Sequence, residues 1–351
     1  MTLFYLVNQI NSHANRFNAL FSSIQSDYQL VEVIDAESSP CAVVNGKDLN
    51  GWNQIRDELS NGNNLVVSGP LDLLSLPLSG GRYQQVAISY AVDVMISIAK
   101  STNLVEKFQE SLSSYSAVIV DNYATENALI ALGCNKESII RIPWGPSGLD
   151  PNKVDRSHFC LPDDRPLVLY PRRIDRHYDP DSFIQALSLL VKEVPNFLAV
   201  LIENGSMVSA VKESVVRLEL RDNVVWVPAL DENQFQSLLS IVDAVVVSPI
   251  TDGTSVTVME AMSLGVPVVT SMTSGSAEWI MNGISGWSFP VGNIKELVNS
   301  LVDVLTVDIY RKKIICANAK RLVEMKAGWH SSAKILKLSL ENILKERRHP
   351  L

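Results

Sequence analysis

Short apolar runs alternate with longer amphipathic stretches along the first half of the chain. The apolar runs have the length of β-strands and lie at residues 3–7, 30–34, 65–67, 86–89 and 117–120. The stretches with helical spacing lie near residues 13–24, 52–59 and 125–132. This alternation is typical of parallel sheets covered by helices on both faces. We therefore predict an α/β domain in the first half.

The second half shows the same alternation with clearer boundaries. Strands are predicted at residues 167–170, 198–202, 224–227, 244–247 and 266–270. Helices are predicted at residues 182–194 and 255–264 and from residue 295 to about residue 346. Asp231 precedes Gln234 by three positions, which predicts a capping box at a further helix. Ligands of open parallel sheets bind beyond the carboxyl ends of the strands, so the loops after Tyr170, Val227, Val247 and Thr270 are expected to carry the function.

The length of the chain and one Pro- and Gly-rich segment predict two domains. A chain of 351 residues exceeds what one ordinary core accommodates. Residues 140–151 are rich in Pro and Gly and form the natural linker. We assign residues 1–145 to an N-terminal domain, residues 146–330 to a C-terminal domain and residues 331–351 to a final helix.

Charge argues against nucleic acid as a partner. The net charge is −8, and residues 1–150 alone carry eight basic and fifteen acidic side chains. Phosphate backbones need a basic surface, and so does a broad contact with anionic lipid. We expect no nucleic-acid partner and at most peripheral membrane association; a homo-oligomer is left open.

The cysteines, the histidines and the apolar segments indicate the cellular compartment and whether a metal site is expected. The four cysteines are scattered and the five histidines show no metal-ligand spacing, which fits a reducing cytoplasm and a site without metal. No apolar run approaches the roughly 20 residues of a membrane span. The first residues lack the basic region and cleavage site of a signal peptide, so they are interpreted as a first strand.

The most distinctive segment is SPITDGTSVTVMEAMSLGVPVVT, residues 248–270. A buried strand ends there, and a polar loop leads into a helix. The amides of Gly253, Thr254 and Ser255 are expected at the start of that helix. Unpaired N–H groups and the positive end of the helix dipole suit an anion such as a diphosphate.

Two carboxylates belong to this segment and lie eight positions apart. Asp252 is expected in the loop and Glu260 two turns into the helix. A carboxylate accepts two hydroxyl hydrogen bonds well, as a ribose or hexose diol requires. The alternative is that Asp252 only caps the helix and that Glu260 is a surface residue. We favour the functional interpretation because Glu260 adjoins Ala261 and Met262 just before a tight turn at Gly265 and a buried strand.

These residues resemble the E-x7-E signature of family 4 retaining glycosyltransferases, with Asp252 in place of the first Glu. The stretch SGSAEWIMNGISGWSFPVGN at residues 274–293 resembles the continuation of that family, and PWG at residues 143–145 resembles its interdomain linker. VLYPRRIDRHYDPDSFIQAL at residues 168–187 resembles the strand, loop and helix that carry its donor-phosphate Arg. The resemblance is weak over the first 120 residues.

The resemblance implies a GT-B fold, in which two Rossmann-like domains face each other across a cleft and the last helix crosses back to the N-terminal domain. It implies a retaining hexosyltransferase with an NDP-sugar donor on the C-terminal domain, no metal or other cofactor, and a glycan, lipid-linked or small-molecule acceptor on the N-terminal domain. Surface-polysaccharide assembly is the expected context.

The resemblance also implies roles for single residues. Glu260 would hold the ribose hydroxyls, Asp252 would contact the transferred sugar, and the amides of residues 253–255 would hold the diphosphate. Arg172 or Arg173 would neutralise the charge that develops on the leaving phosphate. The alternative for this arginine pair is a surface ion pair with Asp175 or Asp179. The loop after Val227 is expected to contact the base.

Besides Asp252, the sequence departs from the family pattern at two further places. A Lys usually follows the Arg by five or six positions, where this chain has Tyr178 or Asp179; Tyr178 is kept as a donor-binding candidate. In VAISYAVDVM, Tyr90 stands where the family has a His, with Asp93 three positions on. Tyr90 donates a hydrogen bond but is a poor base near neutral pH. Its alternative role is a core aromatic at a strand end.

Two other functions remain open from the sequence. The departures fit a non-catalytic glycosyltransferase-like subunit that binds sugar nucleotide or glycan. A nucleotide-sugar epimerase would act on the donor without an acceptor. A dinucleotide oxidoreductase is disfavoured because no G-x-G-x-x-G follows any predicted strand.

Overall fold

The computed structural model divides into two compact units. Unit 1 comprises Met1–Ser147 with Ala327–Leu351, and unit 2 comprises Gly148–Lys326. The structure describes residues 2–7, 20, 24, 29–34, 41–44, 47–50, 53–54, 57–58, 65–68, 84–89, 100–113, 115–143, 145–146 and 149–346.

The strands of unit 1 form one sheet of mostly parallel strands. They are β1 (Thr2–Val7), β2 (Gln29–Ile34), β3 (Cys41–Val44), β4 (Lys47–Asn50), β5 (Leu65–Ser68), β6 (Gln84–Ser89), β7 (Ala117–Val120) and β8 (Ile139–Arg141). Their order is β4-β3-β2-β1-β5-β6-β7-β8. Among the strands described in this unit, the β2–β3 and β3–β4 pairs are antiparallel and the others are parallel.

The strands of unit 2 form a second sheet in which every pair is parallel. They are β9 (Leu167–Tyr170), β10 (Leu198–Ile202), β11 (Val224–Val227), β12 (Ala244–Val247), β13 (Val268–Ser271) and β14 (Trp287–Phe289). Their order is β11-β10-β9-β12-β13-β14. The chain builds outward from β9 to β11 and then returns to the other side of β9 with β12. The order therefore reverses between β9 and β12, and such a switch point opens a crevice beyond the carboxyl ends of the two strands.

The helices are numbered along the whole chain. They are α1 (Thr102–Ser113), α2 (Tyr123–Ala131), α3 (Pro180–Glu193), α4 (Val208–Arg217), α5 (Glu232–Ser240), α6 (Val256–Leu264), α7 (Ile294–Thr306), α8 (Ile309–Ala327) and α9 (Trp329–Glu346). Among the described residues, no helix combines the length and apolar character that crossing a membrane requires.

Each unit has its own apolar core. In unit 2, the buried faces of β9 and β10 pack on α3 and α7 through residues such as Tyr170, Phe183 and Leu301. In unit 1, α9 contributes Ala333, Leu336, Leu340 and Ile343 to a core that also contains side chains of β5, β6 and β7. The last helix is thus part of the core of unit 1.

Most strand predictions that fall on described residues agree with the structure, and two differences have local causes. The hairpin β3–β4 was not predicted, because its edge strand Lys47–Asn50 has no apolar alternation. Strand β8 begins at Ile139, so the interpretation of residues 140–151 as linker was wrong for its first two residues. Of the predicted helices near residues 13–24 and 52–59, the greater part lies outside the described residues.

Candidate functional site

The switch point of unit 2 brings together Arg172 from the loop after β9 and Asp252 from the loop after β12. One guanidinium nitrogen of Arg172 lies 3.4 Å from a carboxylate oxygen of Asp252. Another donates to the Ser255 hydroxyl at 3.4 Å. Both charged side chains are largely shielded, with exposed fractions of 15% and 16%. The parallel register of β9 and β12 explains the meeting, because it aligns the carboxyl ends of the two strands.

Tyr178 supports the same guanidinium from another side. Its ring lies 4.1 Å from the central guanidinium carbon of Arg172, a cation–π distance. Its carbonyl accepts hydrogen bonds from the hydroxyls of Tyr170 at 2.5 Å and Ser248 at 2.9 Å. Burial raises the pKa of Tyr170 well above its ordinary range, so its hydroxyl remains a donor. Tyr178 therefore connects the loops after β9 and β12 and orients Arg172.

The start of α6 lies directly beside Arg172. Ser255 is the N-cap residue, but its side chain makes no capping hydrogen bond to the helix. The loop before it is packed tightly: a side chain at Gly275 would collide with the carbonyl oxygen of Gly253. Thr254 and Ser255 are buried. The helix start therefore keeps a rigid backbone next to a cation, which is the arrangement that suits an anion.

Arg173 has a different environment from its neighbour. Its side chain is 58% exposed and pairs with the Asp175 carboxylate at 2.7 Å. Asp175 also accepts from the backbone and the hydroxyl of Ser206, both at 2.7 Å. The Arg173 hydrogen bond and the two from Ser206 lower the pKa of Asp175 to about 2. The sequence left the two arginines equivalent, and the structure puts only Arg172 against the α6 loop.

Glu260 is not a surface residue. It lies on α6 and is 7% exposed, between the buried Met259 and Ala261. The interpretation of Asp252 as a simple helix cap is also not supported, because the N-cap residue is Ser255 and Asp252 pairs with Arg172. The roles predicted for both carboxylates in donor binding stay predictions.

A cavity of about 240 Å³ adjoins Arg172 at the carboxyl ends of β9, β10 and β11. It is lined by Pro171, Arg172, Arg173, Ile202, Asn204, Leu230, Asp231, Glu232 and Phe235. Ligand pockets usually measure about 300–1,000 Å³, so this one suits part of a ligand. Asn204, Leu230 and Phe235 were not among the predicted site residues. The available signal was their position shortly after predicted strand ends.

Val227 itself is 4% exposed, and its carbonyl accepts a hydrogen bond from Glu203 at 2.8 Å. Val227 does not line the cavity. Leu230, Asp231 and Glu232, which follow it in the loop and at the start of α5, do line it. Asp231 caps α5, and its reciprocal bonds with Gln234 form the predicted capping box.

Two further site predictions, Tyr90 and Asp93, lie outside the described residues. The described residues include no cluster of three or more His, Cys, Asp or Glu that could hold a metal ion.

Sequence comparisons place unit 2 near a known family. Residues 152–321 match the family described as glycosyl transferases group 1. The uncharacterized glycosyltransferase MJ1607 of Methanocaldococcus jannaschii is 26% identical over 66% of this chain and 63% of its own length. The amylovoran biosynthesis glycosyltransferase AmsK of Erwinia amylovora is 26% identical over 62% of this chain and 54% of its own length. These alignments therefore span little more than half of the relatives.

Solved structures agree over nearly the whole chain. Sucrose-phosphate synthase from Thermosynechococcus elongatus superposes with a TM-score of 0.78 at 16% identity, covering 98% of this chain and 100% of its own. Anabaena HepE in complex with UDP superposes with a TM-score of 0.75 at 15% identity, covering 97% and 100%. At such identities the likeness concerns the fold. It confirms the predicted α/β class with two Rossmann-like domains of GT-B type.

Proposed function

From the premise that residues 152–321 carry a glycosyltransferase group 1 domain, we propose that the protein transfers a hexose from an NDP-sugar to an acceptor hydroxyl with retention of configuration. The observation that carries the proposal is the position of Arg172. This residue lines the cavity and also contacts Asp252 and Ser255 at the start of α6. Arg172 can therefore contact one ligand whose nucleoside lies in the cavity and whose diphosphate lies at the start of α6.

We propose a different group of residues for each part of the donor. The cavity between Phe235, Leu230 and Asn204 receives the nucleoside. The backbone amides at the start of α6 and the guanidinium of Arg172 receive the diphosphate. Glu260 accepts hydrogen bonds from ribose hydroxyls, and Asp252 from hydroxyls of the sugar being transferred.

Arg172 has the chemical role that a metal ion has in other phosphate-releasing enzymes. Negative charge grows on the terminal phosphate oxygen as the bond to the sugar breaks. A guanidinium held by Tyr178 and shielded from water stabilises that charge more than it stabilises the ground state. In a retaining reaction the leaving phosphate and the incoming hydroxyl lie on one face of the sugar. We accordingly propose catalysis without a metal and without an enzyme nucleophile.

The acceptor and the setting are proposed from the relatives. AmsK is a glycosyltransferase of amylovoran biosynthesis, and the similar CapM of Staphylococcus aureus is one of capsular polysaccharide biosynthesis. A polysaccharide precursor, either a free glycan or one linked to a lipid, is the matching class of acceptor. The scattered cysteines and the expected nucleotide-sugar donor favour the cytoplasm.

A direct test compares turnover in variants of the two adjacent arginines. Purified protein is incubated with UDP-, GDP- and ADP-sugars, and release of free sugar or transfer to glycan acceptors is measured. We expect Arg172→Ala and Glu260→Ala each to reduce turnover at least about tenfold, as loss of a transition-state or donor contact does. Arg173→Ala should reduce turnover less than Arg172→Ala, because Arg173 lines the same cavity but pairs with Asp175 and not with the α6 loop. Arg217→Ala is the matched control: this exposed arginine of α4 bonds to Ser214 outside the cavity lining, and its loss should change turnover by less than about threefold.

Other outcomes would replace the proposal. Donor binding without turnover for every donor and acceptor would indicate a non-catalytic, donor-binding subunit. Conversion of the donor to an epimer without an acceptor would indicate an epimerase. Full turnover in both Arg172→Ala and Glu260→Ala would place the site elsewhere.

A further inference from the structure

Asp252 forms an ion pair with Arg172, the same cation that we propose for the donor diphosphate. Its carboxylate lies 3.4 Å from the Arg172 guanidinium, which is the long end of an ion-pair contact. Both side chains are largely removed from water. In such surroundings an isolated guanidinium or carboxylate is costly, so the pair neutralises two charges that would otherwise be desolvated alone.

A diphosphate at the same helix start would compete with this carboxylate. Both anions are attracted by the guanidinium of Arg172 and by the positive end of the α6 dipole. At the start of α6 a carboxylate and a diphosphate also repel each other, since water screens them only partly. A diphosphate therefore gains its full contact with Arg172 only if Asp252 gives up that contact.

The surrounding backbone confines any such exchange to side chains. The Ser271 hydroxyl donates to the carbonyl of Pro249 at 2.7 Å, and the amide of Ile250 donates to the carbonyl of His177 at 3.0 Å. Gly275 packs against Gly253 so closely that no side chain would fit between them. With the loop held from these sides, rotation of the Asp252 side chain is the simplest motion available.

Tyr178 keeps the guanidinium in place while its anion changes. The Tyr178 ring centroid lies 4.1 Å from the central guanidinium carbon of Arg172, whereas Asp252 and Ser255 contact the terminal nitrogens. The cation–π attraction to Tyr178 persists whichever anion the terminal nitrogens bind. Arg172 can thus accept a phosphate without leaving its position.

We propose that Asp252 is a place-holding anion: it neutralises Arg172 when no donor is bound, the donor diphosphate displaces it, and the released carboxylate then accepts hydrogen bonds from the transferred sugar. This inference rests on the proposed function. It adds an order of events, in which phosphate binding frees the group that recognises the sugar. A nucleoside diphosphate without sugar must also displace Asp252 from Arg172, but it offers no sugar hydroxyls to the released carboxylate.

The test is a double-mutant cycle on Arg172 and Asp252, read by calorimetric titration with UDP, GDP and ADP. The tightest of the three is used for the cycle. Asp252→Asn should bind that nucleotide about fivefold more tightly than the wild type, because the diphosphate then displaces no carboxylate from Arg172. Arg172→Gln should bind it more weakly. In the Arg172→Gln background, the gain from Asp252→Asn should fall below about twofold, because only the repulsion between carboxylate and phosphate is then relieved.

The matching UDP-, GDP- or ADP-glucose supplies a second readout. Wild-type protein should prefer the nucleotide sugar over the nucleotide, and Asp252→Asn should lose that preference. Asp163→Asn is the charge control: it removes one exposed carboxylate of unit 2 outside both loops and should change neither affinity. Asp252→Ser is a second neutral variant, used if Asp252→Asn lowers the thermal unfolding midpoint.

Each outcome has one meaning. An equal gain in the Arg172→Gln background would show simple repulsion between Asp252 and phosphate, and the exchange would be wrong. Weaker nucleotide binding by Asp252→Asn would show that the carboxylate supports the diphosphate, which also contradicts it. If wild-type protein binds none of the three nucleotides, the proposed function itself fails.

Discussion

At the scale of single residues, two adjacent arginines illustrate how burial separates identical side chains. Arg172 is shielded and faces Asp252, Ser255 and Tyr178, whereas Arg173 is mostly exposed and pairs with Asp175. Water screens the charge of an exposed guanidinium such as that of Arg173, which weakens its attraction for a ligand anion. A shielded guanidinium keeps its electrostatic strength for a ligand. We therefore expect Arg172→Ala to reduce turnover more than Arg173→Ala, although both side chains line the cavity.

Asp175 gives a prediction about pH at this scale. Its pKa is lowered to about 2 by Arg173 and Ser206, below the value of about 3.9 expected in the unfolded chain. A lowered pKa stabilises the fold above about pH 4, and this contribution is lost as the pH falls from about 4 towards 2. Urea unfolding at pH 6 and pH 3 should therefore show that Asp175→Asn destabilises the protein more at pH 6.

The control for this prediction is Asp163→Asn, which removes an exposed carboxylate from another loop of unit 2. It should give a smaller difference between the two pH values than Asp175→Asn. An effect of Asp175→Asn that is equal at pH 6 and pH 3 would mean that the hydrogen bonds to Ser206, and not the ionisation of Asp175, carry its contribution.

At the scale of elements, the site follows from the order of the strands in unit 2. The reversal between β9 and β12 aligns two loops whose side chains are 80 positions apart in sequence. The loop after β13 closes against the α6 start through Gly275, and the capped start of α5 lines the cavity. The strands, helix starts and loops thus form a fixed backbone frame around the site, and the proposed exchange of partners involves side chains.

Gly275 gives a prediction about this frame. A methyl group at this position would collide with the backbone of Gly253, so Gly275→Ala should displace the loop before α6. We expect an unfolding free energy lower by about 1–3 kcal/mol, as overpacking usually costs, and nucleotide binding weaker by at least about tenfold. Thermal unfolding and calorimetric titration measure the two effects.

Gly145→Ala is the matched control for that frame. A side chain at Gly145 would collide with the carbonyl of Ala327, which also belongs to unit 1. It should therefore destabilise the protein without changing nucleotide affinity. Equal losses of affinity in Gly145→Ala and Gly275→Ala would show a general effect of instability, and the frame argument would be wrong.

At the scale of the whole molecule, the two units differ in how the chain builds them. Unit 2 is one continuous segment with its own core, whereas unit 1 combines Met1–Ser147 with the last residues of the chain. Leu336 and Leu340 of α9 are almost fully buried beside Val67 and Val86. Helix α9 is therefore a structural part of unit 1.

Truncation after Lys326 tests this division. Removing α9 exposes the core that it covers, and each buried Leu lost from a core costs about 2–5 kcal/mol. We expect unit 1 to unfold at a much lower temperature, with unit 2 still folded and binding the same nucleotide. Differential scanning calorimetry with and without nucleotide would show this. Loss of the nucleotide-dependent transition would contradict the independence of unit 2.

Much of the fold was predictable because its signals are local. Runs of buried residues such as 167–170 and 244–247 mark strands that are covered on both faces, and these predictions are confirmed. The capping box at Asp231 follows from two residues three positions apart and is also confirmed. The polar edge strand β4 lacks such a signal, which is why it was missed.

The sequence alone determined that a helix start, a carboxylate and an arginine follow the strands of one α/β domain, since each of these depends on neighbouring residues. Only the tertiary structure decided that Arg172 and not Arg173 meets Asp252, and that Tyr178 orients it. Identical side chains one position apart point in different directions, and only the packing of β9 beside β12 determines which one is shielded from water and placed at the start of α6.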